Sequence, residues 1–560
     1  MTTTTLYASR MWPPVRRGAG EATDPALDLL YHLGLVDRTD ATGVHTLLPL
    51  GLRVHDRMAA IARSAFEERG ALAFAAPTLQ SRRLWEETGR WGSYQREGAL
   101  LTVRSSSGDE MCLAPTSEEI TAATVREHLR SFRDLPVRLF LSTSKFRDEL
   151  SPRGGLMRGR EFTMADAYTF DTSADGMRES TAFLNDACTA ALTGMGLPGV
   201  FQAPADGGAI SAGPSTEHLV LSDAGQSTIV ACDHCGNRGD GAVTPVHPAS
   251  PPAAPVVNVI AFVLTRPDGN IQSAAVAVRS DLKVSARKVA AATGARRVAL
   301  IEPQDLPGIL GNEAGTLTPW DAADSSDTLL LFDTSVAALD EFAISDGVDG
   351  LRSGVTWNGG PDLGALKVSG LDLAEASDGS RCTLCPGTHR AVRAVEVAHV
   401  FELGTQYSQP MKLAFTDHTG RQAVPWMACS GIGITRCIQT AADLHRDHQG
   451  LRWKPGTGPA DVHLAVLRSD QPEMQERTDQ LVQDLTARGL SLFVDDRPLP
   501  AGEKLRYARL LGLPHAAVRP PRRGDRSDQP LDRAHHHHPI QPHSPTRYPR
   551  ITQGDTTKPD

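Results

Sequence analysis

Residues 145–171 read KFRDELSPRGGLMRGREFTMADAYTFD, and the fold is decided there. Phe146-Arg147-Asp148-Glu149 opens the stretch with a cation and two anions at fixed spacing. Gly154 and Gly155 permit a tight bend, because glycine tolerates positive φ. From Arg158 through Phe162 the pattern becomes alternating and strand-like. Two strands joined by a loop, with arginines at both feet and an aromatic ring in the second strand, suit a nucleotide. Arg147 can fork onto phosphate or carboxylate oxygens. Phe162 can lie against a purine. A surface hairpin with solvated charges would carry the same residues, and short motifs match by chance.

Two further stretches narrow the choice. Residues 427–436 read MACSGIGITR: Gly431 and Gly433 let backbone come close to something, and Arg436 follows at a helix start. Thr116-Ser117-Glu118-Glu119 comes directly after Cys112-Leu113-Ala114-Pro115. Together the three stretches resemble the active-site motifs of class II aminoacyl-tRNA synthetases. In detail, FRDE, LMRGREF, DAY and GIGITR resemble the pattern of bacterial-type prolyl-tRNA synthetases, over roughly residues 25–515. The resemblance implies an α+β fold: a class II antiparallel sheet flanked by helices, an inserted α/β editing-like domain and a C-terminal α/β anticodon-binding-like domain. The expected boundaries are a catalytic domain over 1–240 and 391–458, an insertion over 241–390, an incomplete anticodon-binding-like domain over 459–518 and a disordered tail over 519–560.

The resemblance also implies a reaction: ATP-dependent activation of proline to prolyl-adenylate, with Mg²⁺, and transfer to tRNA(Pro). On that basis Arg147 bridges the substrate carboxylate and the α-phosphate, while Arg158 and Arg436 hold the β- and γ-phosphates. Phe162 stacks the adenine, Glu149 fixes the base or ribose edge, Glu217 helps hold Mg²⁺, and Gly433 lines the ATP site. Arg147, Glu149 and Arg436 are the catalytic set. Thr116 and Glu118 take the amino group, and His399 and Gly431 lie in the segment lining the amino-acid pocket. By themselves these residues leave other readings open. Thr116 and Glu118 can point the same way in an extended loop, but Thr or Ser followed by Glu before Ile120 also reads as a helix cap. Alone, His399 reads as a core histidine and Glu217 as a solvated side chain.

The chain departs from the family pattern at several places. Ala165 stands at a lysine position, Ser430 at a tyrosine, and Glu402 and Gln406 replace glutamine and lysine. Residues 205–218, ADGGAISAGPSTEH, keep Ser215 and Glu217 but lose a Gly-Gly pair, a serine, a histidine and a phenylalanine. These changes read as a cluster around the substrate pocket that spares the nucleotide arginines. Three readings therefore stand. One is a genuine prolyl-tRNA synthetase. Another is a paralogue activating proline or a related amino acid for a biosynthetic or self-protective purpose, with poor tRNA charging; the pocket changes and short C-terminal domain favour it. The third is a non-catalytic binding protein on the same scaffold, which the intact Arg147, Glu149 and Arg436 disfavour.

A chain of 560 residues is too long for one core, so three or four domains are expected. Its 40% apolar and 22% charged content is ordinary for a globular protein. A net charge of −9 argues against bulk nucleic-acid binding, but a local basic face could still hold tRNA. No apolar run reaches the ~18 residues of a membrane span. MTTTTLYASR lacks the apolar core of a signal peptide. A cytoplasmic protein is expected. Residues 1–24 show no period and read as an irregular arm. Val54, Met58, Ile61 and Ala65 share one helical face, Gly70 stops it, and a strand runs from Leu72 through Phe74 to Pro77. The resemblance makes this element the interface of a homodimer; spacing alone reads equally as a core helix.

Eight cysteines do not suggest a disulfide scaffold. Cys232-x2-Cys235 and Cys382-x2-Cys385 suggest a zinc site with four thiolate ligands. Their wide separation fits an inserted domain whose ends return together; four unliganded thiols are the alternative. Cys112, Cys188, Cys429 and Cys437 read as packed thiols. Within the insertion, after a Pro/Ala-rich linker at 241–257, strands are expected over 256–264 and 271–278 and a helix over 285–295. A pocket for a small apolar side chain rejects a smaller one by only about 10–200-fold, so a second, editing site has a physical purpose. On the resemblance Lys288 is its functional lysine and Gly315 marks its loop; a lone lysine reads as a solvated helix face. Ser285 replaces a family asparagine and a histidine expected before 354–357 is absent, so weakened or lost editing is expected.

Val462, Leu464 and Val466 alternate as a strand. Met474, Leu481, Val482 and Leu485 share a helix face, and Leu492 and Val494 make the next strand. Strand–helix–strand order indicates a parallel sheet. The pattern stops near Val518. From Arg519 the chain is Pro, Arg, His and Asp, with His535 to His538 in a row, and disorder is expected. The change suggests a shifted reading frame at the 3′ end, which resequencing the DNA decides.

Overall fold

The structure, a computed structural model, describes residues 5–12, 24–96, 98–205, 207–208, 210–211, 213–266, 268–325, 327–345, 350–359 and 363–518. The tail expected to be disordered, its histidine run and the suspected frame shift lie outside the described residues. The described chain falls into two compact units. The first runs through Phe201, takes in His218–Gln226 and resumes at Val395; the second comprises Gln202–Glu217 and Ser227–Ala394.

The first unit is built on the hairpin. Strands Val137–Phe146 and Glu161–Asp171 pair antiparallel, from Val137 opposite Phe170 to Phe146 opposite Glu161. The strand Trp426–Gly433 pairs antiparallel with the second of these, and its other side takes Ala398–Gly404. Alternation then sorts the side chains. Ala165, Ala167 and Phe140 go to an apolar core shared with helices Pro49–Glu67, Ala174–Gly194 and Ile434–His445. Lys145, Phe162, Asp166 and Tyr168 go to the opposite face.

The helix Pro49–Glu67 begins on a proline, whose missing N–H is no loss in the first turn. Val54, Met58 and Ala65 are buried on one face as the spacing predicts, with Ile61 packed at its edge. The strand expected to reach Pro77 is only Leu72–Ala73, paired parallel to Leu139 and Phe140.

A second, all-parallel sheet follows the order Thr5–Tyr7, Leu492–Asp495, Val462–Val466, His515–Val518. Thr5–Tyr7 corrects the irregular arm expected over 1–24. Three residues are too short to show a period, and their partner lies at the far end of the chain. Ser9 secures the arm, donating from N and Oγ to the Asp496 carboxylate at 2.8 and 2.6 Å.

The second unit holds a mixed sheet. Val256–Thr265 pairs antiparallel with Ile271–Arg279, which pairs parallel with Thr328–Asp333. The helix is Ala286–Thr293, capped by the Ser285 hydroxyl. The Pro/Ala stretch at 241–257 is not merely a linker: Val246–His247 pairs with Arg381–Cys382 and draws the ends of the insertion together. No helix among the described residues is long and apolar enough to cross a membrane.

Candidate active site

The hairpin loop carries the first cations. Gly154 and Gly155 both take positive φ, 67° and 64°, and a Cβ at 155 would press into Leu27. The turn delivers Arg158, whose Nε donates to Glu149 Oε2 at 2.7 Å. Arg147 continues the ladder past the strand, its N–H donating to Arg160 O at 2.9 Å. Its guanidinium lies 5.3 Å from the centre of the Phe162 ring. Its own side-chain hydrogen bond is long, 3.4 Å from Nε to Pro115 O.

Arg436 arrives from the start of the helix Ile434–His445. Its Nε donates to Met157 O at 2.9 Å, which sets it beside Arg158 in the backbone, and its Nη1 donates to Glu396 O at 2.6 Å. Burial pushes the Glu396 carboxyl up. The His399 hydrogen bond and the charges of Arg436 and Arg147 more than offset this and hold it at about 2. All three arginines therefore gather at one end of the sheet, as the sequence suggests. His399 Nδ1 donates to Glu396 Oε1 at 3.1 Å, and its ring stacks on Phe401 at 3.9 Å. His399 is thus neither solvated nor a plain core residue.

Thr116 and Glu118 are brought together, but not by a cap. Ser117 occupies the N-cap of the helix Glu118–His128 with no side-chain bond to it. Both Thr116 and Glu118 are buried against Arg90, whose Nη2 lies 3.2 Å from Thr116 Oγ1 and whose Nη1 lies 3.1 Å from Glu118 Oε2. Ser117 Oγ accepts from Lys145 Nζ at 2.6 Å, and Lys145 pairs with Asp166 at 2.9 Å. Arg90, Lys145, Asp166 and Glu396 had no role assigned from sequence. Lys145 and Asp166 were findable: period two places them on the face that carries Phe162. Arg90 and Glu396 were not, since the oppositely charged groups that hold them, Glu118 and Glu119 for one and Arg436 for the other, are distant in the chain.

Gly431 faces the same side, opposite Asp166 and His399. A Cβ there would stand 2.8 Å from Met164 Sδ, so the glycine serves close approach. Gly433 caps the Arg436 helix. Glu217 lies half-buried on the strand Ser215–Leu221.

Four of the departures from the family pattern, Ser430, Ala165, Glu402 and His218, lie off this face. Ser430 is opposite Ala167 and Val400, lies near the buried Cys188 thiol of helix Ala174–Gly194, and points behind the sheet. Ala165 is in the same core. Glu402 feels Arg178 of that helix. His218 lies 3.3 Å from Asn185 O, again on that helix. The expected pocket cluster is therefore largely a repacking of the sheet's rear, because strand alternation sends these positions away from the substrate side.

In the second unit Lys288 is not a solvated side chain. Its Nζ donates to Asp372 Oδ1 at 2.8 Å and Ala374 O at 2.7 Å. Gly315 sits in an open turn at φ 85°. The four cysteines come together: Cys232 and Cys385 sulfurs are 3.4 Å apart, Cys235 and Cys382 sulfurs 3.8 Å, and all four lie within 4.8 Å of one another. A zinc ion with ~2.3 Å bonds would space its thiolates about 3.8 Å apart, so the set fits.

Residues 101–445 match the family model of the tRNA synthetase class II core domain (G, H, P, S and T). Sheet, hairpin and arginine cluster define this class. The chain is 31% identical over 545 residues to a proline–tRNA ligase of Elusimicrobium minutum, covering 90% of this chain and 92% of that one. It is 32% identical over 549 residues to that of Herminiimonas arsenicoxydans, covering 92% and 93%. The chain belongs to the proline–tRNA ligase family. A prolyl-tRNA synthetase from Cryptosporidium parvum, solved with L-proline and AMP, has a TM-score of 0.51 at 13% identity, over 88% of this chain and 67% of that one. The Giardia lamblia prolyl-tRNA synthetase, solved with prolyl-adenylate, scores 0.52 at 13% identity, over 88% and 68%. At such identity the likeness establishes the fold.

Proposed function

We propose that this protein joins proline to ATP as prolyl-adenylate, releasing pyrophosphate, and passes the prolyl group to tRNA(Pro). One observation carries the reading: Arg147 lies over the Phe162 ring, reaches Pro115 O beside Thr116, and joins Arg436 in holding the Glu396 carboxyl low. An oxygen of the proline carboxylate attacks the α-phosphorus, and pyrophosphate leaves. A terminal ribose hydroxyl of the tRNA then attacks the acyl carbon, and AMP leaves. The difficulty is setting one anion against another. Arg147 bridges them and meets the charge that builds on the α-phosphate. Arg158 and Arg436 hold the outer phosphates, Phe162 the adenine, Glu149 the base or ribose edge. Much of the rate comes from holding the reactants in line.

Mg²⁺ neutralises the triphosphate when bound, and Glu217 offers the hard oxygen donors it takes. We assign Cys232, Cys235, Cys382 and Cys385 to a structural Zn²⁺. We assign the parallel sheet of 459–518 to tRNA recognition and the protein to the cytoplasm. Leu52 and Leu72, 47% and 68% exposed on the helix Pro49–Glu67 and the strand Leu72–Ala73, support pairing of two copies there. The departures behind the sheet remove the main support for a paralogue with another substrate.

The test is pyrophosphate exchange across a panel of amino acids, followed by tRNA charging. Proline should give the strongest exchange, and tRNA(Pro) should be charged. A panel led by another amino acid, or blank throughout, would overturn the reading.

The second unit supports a lapsed editing site, since the Lys288 ammonium is spent on Asp372 and Ala374. Lys288→Ala should cost about 1–3 kcal/mol of that unit's stability, discounted because Asp372 is about a third exposed. It should leave hydrolysis of alanyl-tRNA(Pro) at the background of the parent protein. Thermal melting and a deacylation assay read the two effects; parent hydrolysis that collapses in the variant would restore Lys288 to a catalytic role.

A further inference from the structure

Arg90 is 6% exposed, and both terminal nitrogens of its guanidinium are hydrogen-bonded while Nε is buried without a partner. Three rings surround it: Tyr94 at 4.5 Å, Trp85 at 5.0 Å and Tyr407 at 5.2 Å from its carbon to the ring centres. Such faces attract a cation and fix its plane. Within that cage Nη1 donates to Glu118 Oε2 at 3.1 Å and to both oxygens of Glu119 at 3.0 Å. Nη2 donates to Thr116 Oγ1 at 3.2 Å and to the Tyr94 hydroxyl.

We propose that Arg90 is a positioning residue for the amino-acid site: its caged guanidinium sets the Thr116 hydroxyl and the Glu118 carboxylate where they receive the substrate ammonium. The inference rests on the amino-acid activation proposed above. A purely structural ion pair needs only Glu119, which is fully buried and also accepts from Thr88 Oγ1 at 2.8 Å. The fork goes further and takes both groups of the amine site at once. Lysine, a point charge on a flexible stem, cannot do that.

Charge supports the same assignment. In the ion pairs of this cluster three carboxylates, Glu118, Glu119 and Asp166, share two cations, Arg90 and Lys145. Asp166 Oδ1 is buried without a hydrogen-bond partner. A buried charge left uncompensated is costly; an ammonium entering beside Glu118 restores the balance. Burial pushes the Glu118 carboxyl up, but Arg90 and the Thr116 hydroxyl more than offset it, so it stays ionised and ready for that cation. Burial keeps Glu119 above its ordinary value, with Arg90 opposing.

The prediction is a split between substrates. Arg90→Lys should raise KM for proline about tenfold or more in pyrophosphate exchange, with KM for ATP within about twofold of the parent. Tyr94→Phe keeps the ring but removes one anchor of the fork, and should raise KM for proline about threefold. A parent-like melting temperature and ATP-induced thermal shift establish that each variant is folded. Parent-like KM for proline in Arg90→Lys, or KM values for proline and ATP rising in step, overturns the inference. Should Arg90→Lys fail to fold, Tyr94→Phe decides alone, and an unchanged proline KM there overturns it. Absence of proline-dependent exchange in the parent instead sinks the functional reading, and this inference with it.

Discussion

Arg147→Ala should lose about 10²–10³-fold in proline-dependent pyrophosphate exchange, or about 3–4 kcal/mol of transition-state stabilisation. The carboxylate and the α-phosphate repel one another, and the repulsion is greatest as they bond. A fixed guanidinium that touches both relieves it most at that moment, so the loss falls on kcat/KM rather than on ATP binding alone. The fold should survive. Arg147 is half-buried, and its one side-chain hydrogen bond spans 3.4 Å. Its position is set by the backbone ladder to Arg160, which alanine keeps. Arg147→Lys should fall between the two, since it keeps the charge and loses the fork. A folded Arg147→Ala protein with undiminished exchange would refute the assignment of this residue.

How far the chain could be read in advance follows from the range of each interaction. The hairpin was legible because its signals are local: two glycines at positive φ, alternation on both sides, arginines at both feet. The helix Pro49–Glu67 was legible from its apolar spacing, and so were the strands of the parallel sheet. Positions whose meaning depends on register were misjudged. Ser430 and Ala165 resemble pocket substitutions in the sequence, yet pairing with Ala167, Val400 and Ile432 turns them to the rear of the sheet. The strand Thr5–Tyr7 was invisible, because its partner Leu492–Val494 closes a contact across almost the whole described chain. Arg90 carries no local signal that would mark it. A buried arginine shows its importance only when its carboxylates are seen, here 28 and 29 residues away. The ion pair of Lys288 is hidden in the sequence for the same reason, its Asp372 partner being 84 residues off.

The other large effect concerns the four thiols. Protein prepared without chelator should carry one zinc per chain, and Cys382→Ser should carry none. The sulfurs already stand at tetrahedral spacing, and the surrounding backbone is arranged for thiolates: Leu384 N–H and Gly387 N–H donate to the sulfurs of Cys382 and Cys385, each at 3.4 Å. Gly387 must be small, since a Cβ would come within 2.8 Å of Cys232 Sγ. A cross-link between residues 147 apart removes about 4–5 kcal/mol of chain entropy from an unfolded loop. Here the ends are already joined, by Ser227–Cys232 against His389–Ala394 and by Val246–His247 against Arg381–Cys382. Metal therefore adds to a closed base, and its removal should cost the second unit about 2–3 kcal/mol rather than unfold it. Metal analysis by mass spectrometry and melting with and without chelator measure both quantities. Cys112→Ser, in a separate buried cluster, controls for general damage and should keep its zinc. Parent protein free of zinc, with a melting temperature indifferent to added zinc, would leave four packed thiols and remove the metal from this site.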